Sequence, residues 1–153
     1  MFKRILLPLD GSAMSEQALP IAVNHVKCFK SELFLFRVIN PLTKSYRTGM
    51  ATISAIERTE EQLREMANDY LEKIATGLRE DGLEVSVVTR IGVPYKEIIG
   101  YSEQNSIDLV VMCTRGESGF TRWLLGSNTD HVIRGTRIPV FVVPAVDQQK
   151  KND

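Results

Sequence analysis

Residues 3–12 have the sequence KRILLPLDGS, a short apolar run that ends in the turn-forming residues Asp10-Gly11-Ser12. An uninterrupted apolar run of this length, bounded by such residues, is typical of a strand that is buried on both faces. Ser12 is a preferred helix N-cap, so we expect a helix to begin directly after the turn. Pro8 has no N–H to donate, and strand pairing should therefore already be failing at this residue.

The same pattern of a strand followed by a helix recurs along the rest of the chain. Further apolar strands are predicted at 33–39, 83–91, 107–113 and 139–143. Helical spacing of apolar residues occurs at 14–27, 63–78, 94–99 and 126–135, whereas 40–55 has no clear period and predicts a long loop. The alternation indicates a single-domain α/β fold, an open parallel five-stranded sheet with helices on both faces. In such sheets the ligand crevice lies at the carboxyl ends of the strands.

Composition and charge exclude several classes of protein. Of the 153 residues, 25% are charged and 43% are apolar, and 19 Lys plus Arg balance 19 Asp plus Glu. This is the composition of a folded globular protein, and the zero net charge argues against nucleic acid as a partner. The first apolar run is too short for a signal segment or a bilayer span, so no membrane insertion is expected.

The cysteines and histidines show no metal-ligand spacing. Cys28 and Cys113 form no CxxC pair, and two isolated thiols suit a reducing compartment, so we expect a cytoplasmic location. His25 and His131 each lack a second ligand at metal spacing, which favours structural roles.

The segment after the fourth strand is the most informative about function. Gly116 permits a tight turn, and Gly126-Ser127-Asn128-Thr129 leads into a helix whose free N–H groups and dipole favour an anion. A phosphate group fits this requirement. Simple N-capping by Ser127, with an acidic residue three positions later, is the alternative interpretation of the segment on its own.

Four motifs, in the right order along the chain, resemble the universal stress protein family. The spacing Cys113-x2-Gly116-x9-Gly126-Ser127, after the apolar run LVVM at 109–112, is similar to the nucleotide signature G-x2-G-x9-G-[S/T] of that family. The motifs ILLPLDGS at 5–12, GVP at 92–94 and IPVFVV at 138–143 extend the likeness over nearly the whole chain. The resemblance implies a Rossmann-like, adenine-nucleotide alpha-hydrolase-like sheet with strand order 3-2-1-4-5, in a domain at 1–145 followed by a polar flexible tail at 146–153.

The resemblance also implies a function, which is a stress-response or regulatory protein that binds ATP, with Mg²⁺ and slow hydrolysis at most. Asp10 resembles the acid that lies beside the phosphates or their metal, although an Asp before Gly-Ser is equally suited to an ordinary turn. Val38 resembles the residue whose backbone meets adenine, and Arg122 is a candidate compensating charge. The other nucleotide-binding candidates are Pro8, Leu9, Met112, Cys113, Arg115, Gly116, Gly126, Ser127, Asn128 and Thr129.

One departure from the family signature leaves alternatives open. Cys113 replaces the first glycine, and its Cβ could obstruct the ribose unless the side chain points into the sheet. The alternatives are a nucleotide-independent homodimeric interaction module and a binder of AMP or a cyclic nucleotide. A homodimer is expected through the apolar edge strand, which comprises Val140, Phe141, Val142 and Val143. We predict no dedicated catalytic residues, since the sequence has no P-loop and no GxGxxG after the first strand.

Overall fold

The chain folds around one parallel sheet, and the computed structural model describes residues 1–40, 53–114 and 125–146. The strands within these ranges are β1 (Arg4–Pro8), β2 (Glu32–Ile39), β3 (Val85–Ile91), β4 (Leu109–Cys113) and β5 (Val140–Val143). The helices are α1 (Ala13–Glu16), α2 (Leu19–Phe29), α3 (Ile53–Glu80), α4 (Pro94–Gln104) and α5 (Ser127–Gly135). The strands lie in the order β3-β2-β1-β4-β5. The predicted five-stranded parallel sheet and its strand order are therefore confirmed.

Strands β1 and β4 diverge at their carboxyl ends. They are paired only at Ile5 with Leu109 and at Leu6 with Val110, whereas β1 stays paired with β2 as far as Pro8. Along a parallel strand, the backbone N–H groups of successive residues point alternately to the neighbouring strand on one side and on the other. The N–H of Leu9 donates to the carbonyl of Phe36 in β2 at 2.8 Å, so the missing N–H of Pro8 falls on the β4 side. The predicted loss of pairing at Pro8 is right for β4 and wrong for β2.

The two faces of the sheet carry separate parts of the core. One cluster joins buried strand residues to α2 and α3, and it includes Ile5, Leu7, Leu33, Leu35, Leu109, Val111, Ala22, Val26, Leu71 and Ala75. The other joins the opposite face to α4 and α5, and it includes Leu6, Phe34, Phe36, Val110, Met112, Ile98, Tyr101 and Val132. Because side chains alternate along a strand, a continuous apolar run supplies both clusters. Helices therefore cover both faces, as predicted.

The boundaries of several elements differ from the prediction. The stretch predicted as one helix at 14–27 is two helices, since α1 ends at Glu16 and α2 begins at Leu19. Pro20 stands in the first turn of α2, where a residue without an N–H is tolerated and a new helix can begin. Helix α3 begins at Ile53, inside the stretch predicted as a loop, and the rest of that stretch up to residue 52 lies outside the described residues. Strand β3 begins at Val85, two residues later than predicted.

Thr114, directly after β4, connects three segments of the chain. Its N–H donates to the carbonyl of Val143 at 2.9 Å, and its hydroxyl accepts from the N–H of Ala145 at 3.0 Å. Its carbonyl accepts from the N–H of Gly126 at 2.6 Å. The side-chain amide of Gln17 meets both backbone groups of Val146, at 2.8 Å each. The segment after β5 is thereby fixed against β4 and α1.

The predicted tail at 146–153 lies outside the described residues except for Val146. None of the helices in the described ranges combines the length and the apolar composition that a bilayer span requires.

Candidate functional site

An open cleft lies at the carboxyl ends of β1, β2 and β4, where β1 and β4 diverge. Its empty volume is about 580 Å³, which includes space open to solvent. The cleft is lined by Pro8, Leu9, Asp10, Ser15, Phe36, Val38, Pro94, Ile98, Met112, Cys113, Asn128 and Thr129. It also lies where the strand order reverses, the usual place for a ligand in an open α/β sheet.

The cleft has an apolar part and a polar part. Phe36, Val38, Ile98 and Met112 belong to the core cluster on the α4 and α5 face, and they give the cleft an apolar wall. Asp10, Ser15, Asn128 and Thr129 supply the polar groups. A planar apolar ligand group suits the first set, and a charged or hydrogen-bonding group suits the second.

The turn after β1 is held by its own side chains. The carboxylate of Asp10 accepts hydrogen bonds from the N–H of Ser12 at 2.9 Å and from its hydroxyl at 2.5 Å. The Ser12 oxygen accepts from the N–H of Ser15 at 3.1 Å, which confirms the predicted N-cap of α1. Gly11 adopts φ +88°, a conformation that favours glycine. Asp10 therefore forms the turn and at the same time presents an exposed carboxylate at the rim of the cleft.

The N-terminus of α5 reaches the cleft without a side-chain cap. Gly126 is the N-cap and makes no side-chain cap bond, so the alternative interpretation, simple N-capping by Ser127, does not apply. The first N–H that bonds within the helix is that of Asp130, which donates to Gly126 at 3.0 Å. The helical geometry leaves the backbone N–H groups of Ser127, Asn128 and Thr129 without an intrahelical acceptor. Together with the helix dipole, these groups favour an anion.

Thr129 offers the site its backbone N–H group, not the side-chain hydroxyl donor that its residue type suggests. Its side chain is 3% exposed, and its hydroxyl donates to the carbonyl of Cys113 at 2.9 Å. That bond uses the hydroxyl proton, so an anion at this end of α5 meets the backbone N–H of Thr129 rather than its side-chain donor. The bond also fixes the first turn of α5 to the end of β4.

Cys113 points its thiol toward α1. The Sγ atom donates to the carbonyl of Met14 at 2.9 Å, and the side chain belongs to the core cluster on the α2 and α3 face. Burial raises the pKa of the Cys113 thiol, which disfavours the thiolate that redox chemistry requires. The neighbouring Met112 belongs to the opposite cluster. The side chain is thus directed to the α2 and α3 face, although Cys113 still forms part of the lining of the cleft.

The structure gathers most of the predicted site residues around one cleft. Eight of them line it, namely Pro8, Leu9, Asp10, Val38, Met112, Cys113, Asn128 and Thr129. Gly126 and Ser127 begin α5 beside it, whereas Arg115, Gly116 and Arg122 lie outside the described residues.

Four lining residues, Ser15, Phe36, Pro94 and Ile98, were missed by the sequence analysis. Two features of the sequence could have indicated three of them, namely Phe36, Pro94 and Ile98. Phe36 is two residues before Val38 on the same strand, and Ile98 is one helical turn after the proline of the GVP motif.

The histidines and acidic residues form no metal centre in the described part of the chain. Nowhere in these ranges do three His, Cys, Asp or Glu side chains come together as metal ligands. The ring Nδ1 of His25 bonds the carbonyl of Ile21 at 2.9 Å, and that of His131 bonds the carbonyl of Ser127 at 2.5 Å. Both rings therefore bond to their own helix, one turn back.

The fold and the cleft define an open, doubly wound α/β domain with its ligand crevice at the reversal of strand order. The family model of the universal stress protein family matches residues 1–144, and the chain belongs to this family.

Among its relatives are two universal stress proteins of Methanocaldococcus jannaschii. MJ0531 is 34% identical over 143 residues, which cover 94% of this chain and 82% of the relative. MJ0577 is 32% identical over 158 residues, which cover 94% of this chain and 95% of the relative.

Solved structures show the same fold. The structure of MJ0577 is similar with a TM-score of 0.77 and 31% identity, covering 97% of this chain and 99% of that one. A universal stress protein solved in complex with cAMP is similar with a TM-score of 0.62 and 22% identity, covering 95% and 98% of the two chains. At this level of sequence identity, the second similarity shows that the fold is shared.

Proposed function

We propose that this protein binds an adenine nucleotide, ATP before others, in the cleft at the ends of β1, β2 and β4, and that the bound nucleotide changes its affinity for partners in a stress response. The observation that carries the proposal is the pairing, within one cleft, of an apolar wall with the uncapped N-terminus of α5. An adenine ring suits the side chains of Phe36, Val38 and Ile98. Phosphate oxygens suit the backbone N–H groups at the start of α5.

Asp10 is the residue that would hold Mg²⁺ in this proposal. Mg²⁺ is usually bound by one or two carboxylates together with phosphate oxygens and water, and the exposed carboxylate at the cleft rim fits that donor set. The bound ion would neutralise negative charge on the phosphates. For general acid–base catalysis the described lining of the cleft offers the Asp10 carboxylate but no histidine or lysine. The proposal is therefore nucleotide binding with slow hydrolysis at most.

A calorimetric titration of Mg-ATP into nucleotide-free protein tests the proposal, with Gly126→Asp as the diagnostic variant. Gly126 has φ −58° and ψ 147°, which any residue can adopt, and Asp is a strong N-cap, so α5 should persist. The new carboxylate competes with phosphate for the same N–H groups, and we expect a loss of ATP affinity of at least about tenfold.

The matched control is Gly77→Asp, which adds the same charge on α3 at a position with no atom within 4 Å of a built Cβ. It should leave ATP affinity unchanged. The absence of saturable ATP binding by the unmodified protein, or equal affinity of the Gly126→Asp variant, would contradict the proposal.

Competition titrations separate ATP from the alternative ligands. AMP and cyclic AMP use the same apolar wall but place fewer negative charges at α5, so we expect both to bind more weakly than ATP. Tighter binding of cyclic AMP would select the second candidate ligand, for which the relative solved with cAMP gives a precedent in the same fold. If no nucleotide binds, the nucleotide-independent interaction module is the function to pursue.

We also propose that the protein forms a homodimer through β5 and acts in the cytoplasm. Strand β5 is at the edge of the sheet, and Phe141 is 42% exposed on it, with its ring 5.0 Å from that of His25. An apolar edge strand needs cover against unwanted pairing. Both cysteines, Cys28 and Cys113, are free thiols, which suits a reducing compartment.

Light scattering at micromolar concentration tests the homodimer. Phe141→Glu should give a monomer, whereas Met66→Glu, on the exposed side of α3, should leave the mass unchanged. A monomeric unmodified protein would contradict the proposal.

A further inference from the structure

We infer that Arg37 makes the cleft select nucleotides by their number of phosphates. This inference rests on the proposed nucleotide binding and adds to it a residue outside the cleft lining. Arg37 lies near the carboxyl end of β2, one residue before Val38 and therefore facing the opposite side of the sheet. Its guanidinium group lies next to the turn after β1, since a Cβ built on Gly11 would be 3.0–3.2 Å from three guanidinium atoms.

The guanidinium of Arg37 is held in place from two sides. The turn at Gly11 covers one side, and the ring of Tyr70 from α3 lies against the guanidinium with its centroid 4.9 Å from Cζ. The hydroxyl of Tyr70 donates to the carboxylate of Glu16 at 2.7 Å, which ties the ring to α1. Burial and this carboxylate raise the pKa of Tyr70, so the ring stays neutral and the hydroxyl remains a donor.

This cation–π contact does not engage the guanidinium in an ion pair, so its N–H groups can still serve an anion. A guanidinium stacks through its planar face and donates hydrogen bonds from its edge. Arg79 and Arg134 are committed to carboxylates at 2.7 and 2.9 Å. Arg37 has no carboxylate within salt-bridge distance among the residues that the structure describes. Among the described residues its positive charge is therefore held beside the turn after β1 without a carboxylate partner.

The position of Arg37 explains how phosphate can approach Asp10. The Asp10 carboxylate repels ligand phosphates, and this repulsion grows with each additional phosphate. The fixed cation beside Gly11, the next residue, opposes that repulsion. Loss of the positive charge should therefore weaken the binding of ATP more than that of ADP, and the binding of ADP more than that of AMP. If Arg37 merely supported Gly11, its loss would reduce the affinity for all three nucleotides by the same factor.

The test compares Arg37→Met and Arg37→Lys in calorimetric titrations with ATP, ADP, AMP and inorganic tripolyphosphate, all in EDTA. The methionine keeps an apolar stem against Tyr70 but removes the charge. We expect it to lose about tenfold in ATP and tripolyphosphate affinity and no more than about twofold in AMP affinity. The lysine restores the charge without the planar stack, and it should keep ATP affinity within about threefold of the unmodified protein.

The matched control is Arg4→Met. Arg4 also stacks on an aromatic ring, with its Cζ 4.7 Å from the centroid of Phe34, but it lies at the amino end of β1. The control should leave the ratio of ATP to AMP affinity unchanged. A change in that ratio equal to the one in Arg37→Met would overturn the assignment, because net charge alone would then explain it.

The outcomes distinguish this inference from the proposed function. Equal losses of ATP and AMP affinity in Arg37→Met overturn the role of Arg37 and leave nucleotide binding intact. If tripolyphosphate binds as tightly as ATP and depends on Arg37, the role of Arg37 stands and adenine recognition fails. If the unmodified protein binds neither ATP nor tripolyphosphate in EDTA but does bind Mg-ATP, the role of Arg37 is overturned and the proposed function stands. If it does not bind Mg-ATP either, both fail.

Discussion

Replacing Cys113 by glycine restores the first glycine of the family signature, and the structure predicts that this weakens the fold without strengthening nucleotide binding. The buried thiol packs in the core and donates to the carbonyl of Met14 at 2.9 Å. Losing the buried CH2–SH group costs about 1 kcal/mol of transfer free energy. Glycine in a strand costs about 0.5–1 kcal/mol more than alanine. With a small cavity term, the free energy of unfolding should fall by about 2 kcal/mol.

This loss corresponds to a decrease in Tm of about 4–8 °C for a chain of this size. The free energy is measured by urea denaturation and Tm by calorimetry. ATP affinity should stay within about twofold of the unmodified protein, a difference of about 0.4 kcal/mol, because the side chain points toward α1.

Cys113→Ala is the control, since it removes the thiol and keeps the Cβ. It should lose about half as much stability as Cys113→Gly, with the same ATP affinity. The reasoning is refuted if ATP binds at least about tenfold more tightly to the glycine variant and not to the alanine variant. That result would mean that the Cβ of Cys113 obstructs the ligand.

Three further predictions concern stability. Gly11→Ala should destabilise the fold by about 1–2 kcal/mol, because the residue has φ +88° and its Cβ would meet Arg37 at 3.0 Å. Gly77→Ala on α3 should instead stabilise the fold by up to about 1 kcal/mol. Urea denaturation of both variants checks this, and equal effects would contradict it. Thr129→Val should cost about 1–2 kcal/mol by leaving the carbonyl of Cys113 without its donor, and Thr129→Ser should recover most of the loss in the same assay. Because burial raises the pKa of the Cys113 thiol, this thiol ionises in the unfolded chain first as pH rises. Its contribution to stability is therefore fully present below the ordinary thiol pKa of about 8.5 and declines above it. The decline in stability between pH 8 and 10 should be smaller in Cys113→Ala, and an identical decline would contradict the linkage.

The sheet could be predicted from the sequence because buried parallel strands leave a simple pattern. The apolar run at the start of the chain and the one at 109–113 are continuous, as strands covered on both faces must be. The strand order came from the family resemblance, since periodicity alone does not say which strands are neighbours. The helix boundaries were less accurate, because α3 continues well beyond the part whose apolar spacing shows contact with the sheet.

Residue type predicted only part of the candidate site, and the family resemblance supplied other lining residues such as Val38 and Met112. Asp10 and the start of α5 carry turn and helix-start signals, and the structure places both at the cleft. Phe36 and Ile98 look like ordinary core residues in the sequence, and only the packing of α4 on β2 brings them to the opening. The start of α5 shows the same limit of residue type. Serine is the preferred N-cap by residue type, but the bond from Gly126 to Thr114 starts the helix one residue earlier.

The attachment of Val146 to Gln17 affects how the protein should be handled in the laboratory. Both backbone groups of Val146 are bonded beside α1, so anything fused directly after this residue begins near the rim of the cleft. Met1 leads into β1 at the amino edge of the sheet, the edge opposite the cleft. An affinity tag or fluorescent reporter therefore belongs at the amino end, on the edge of the sheet opposite the cleft.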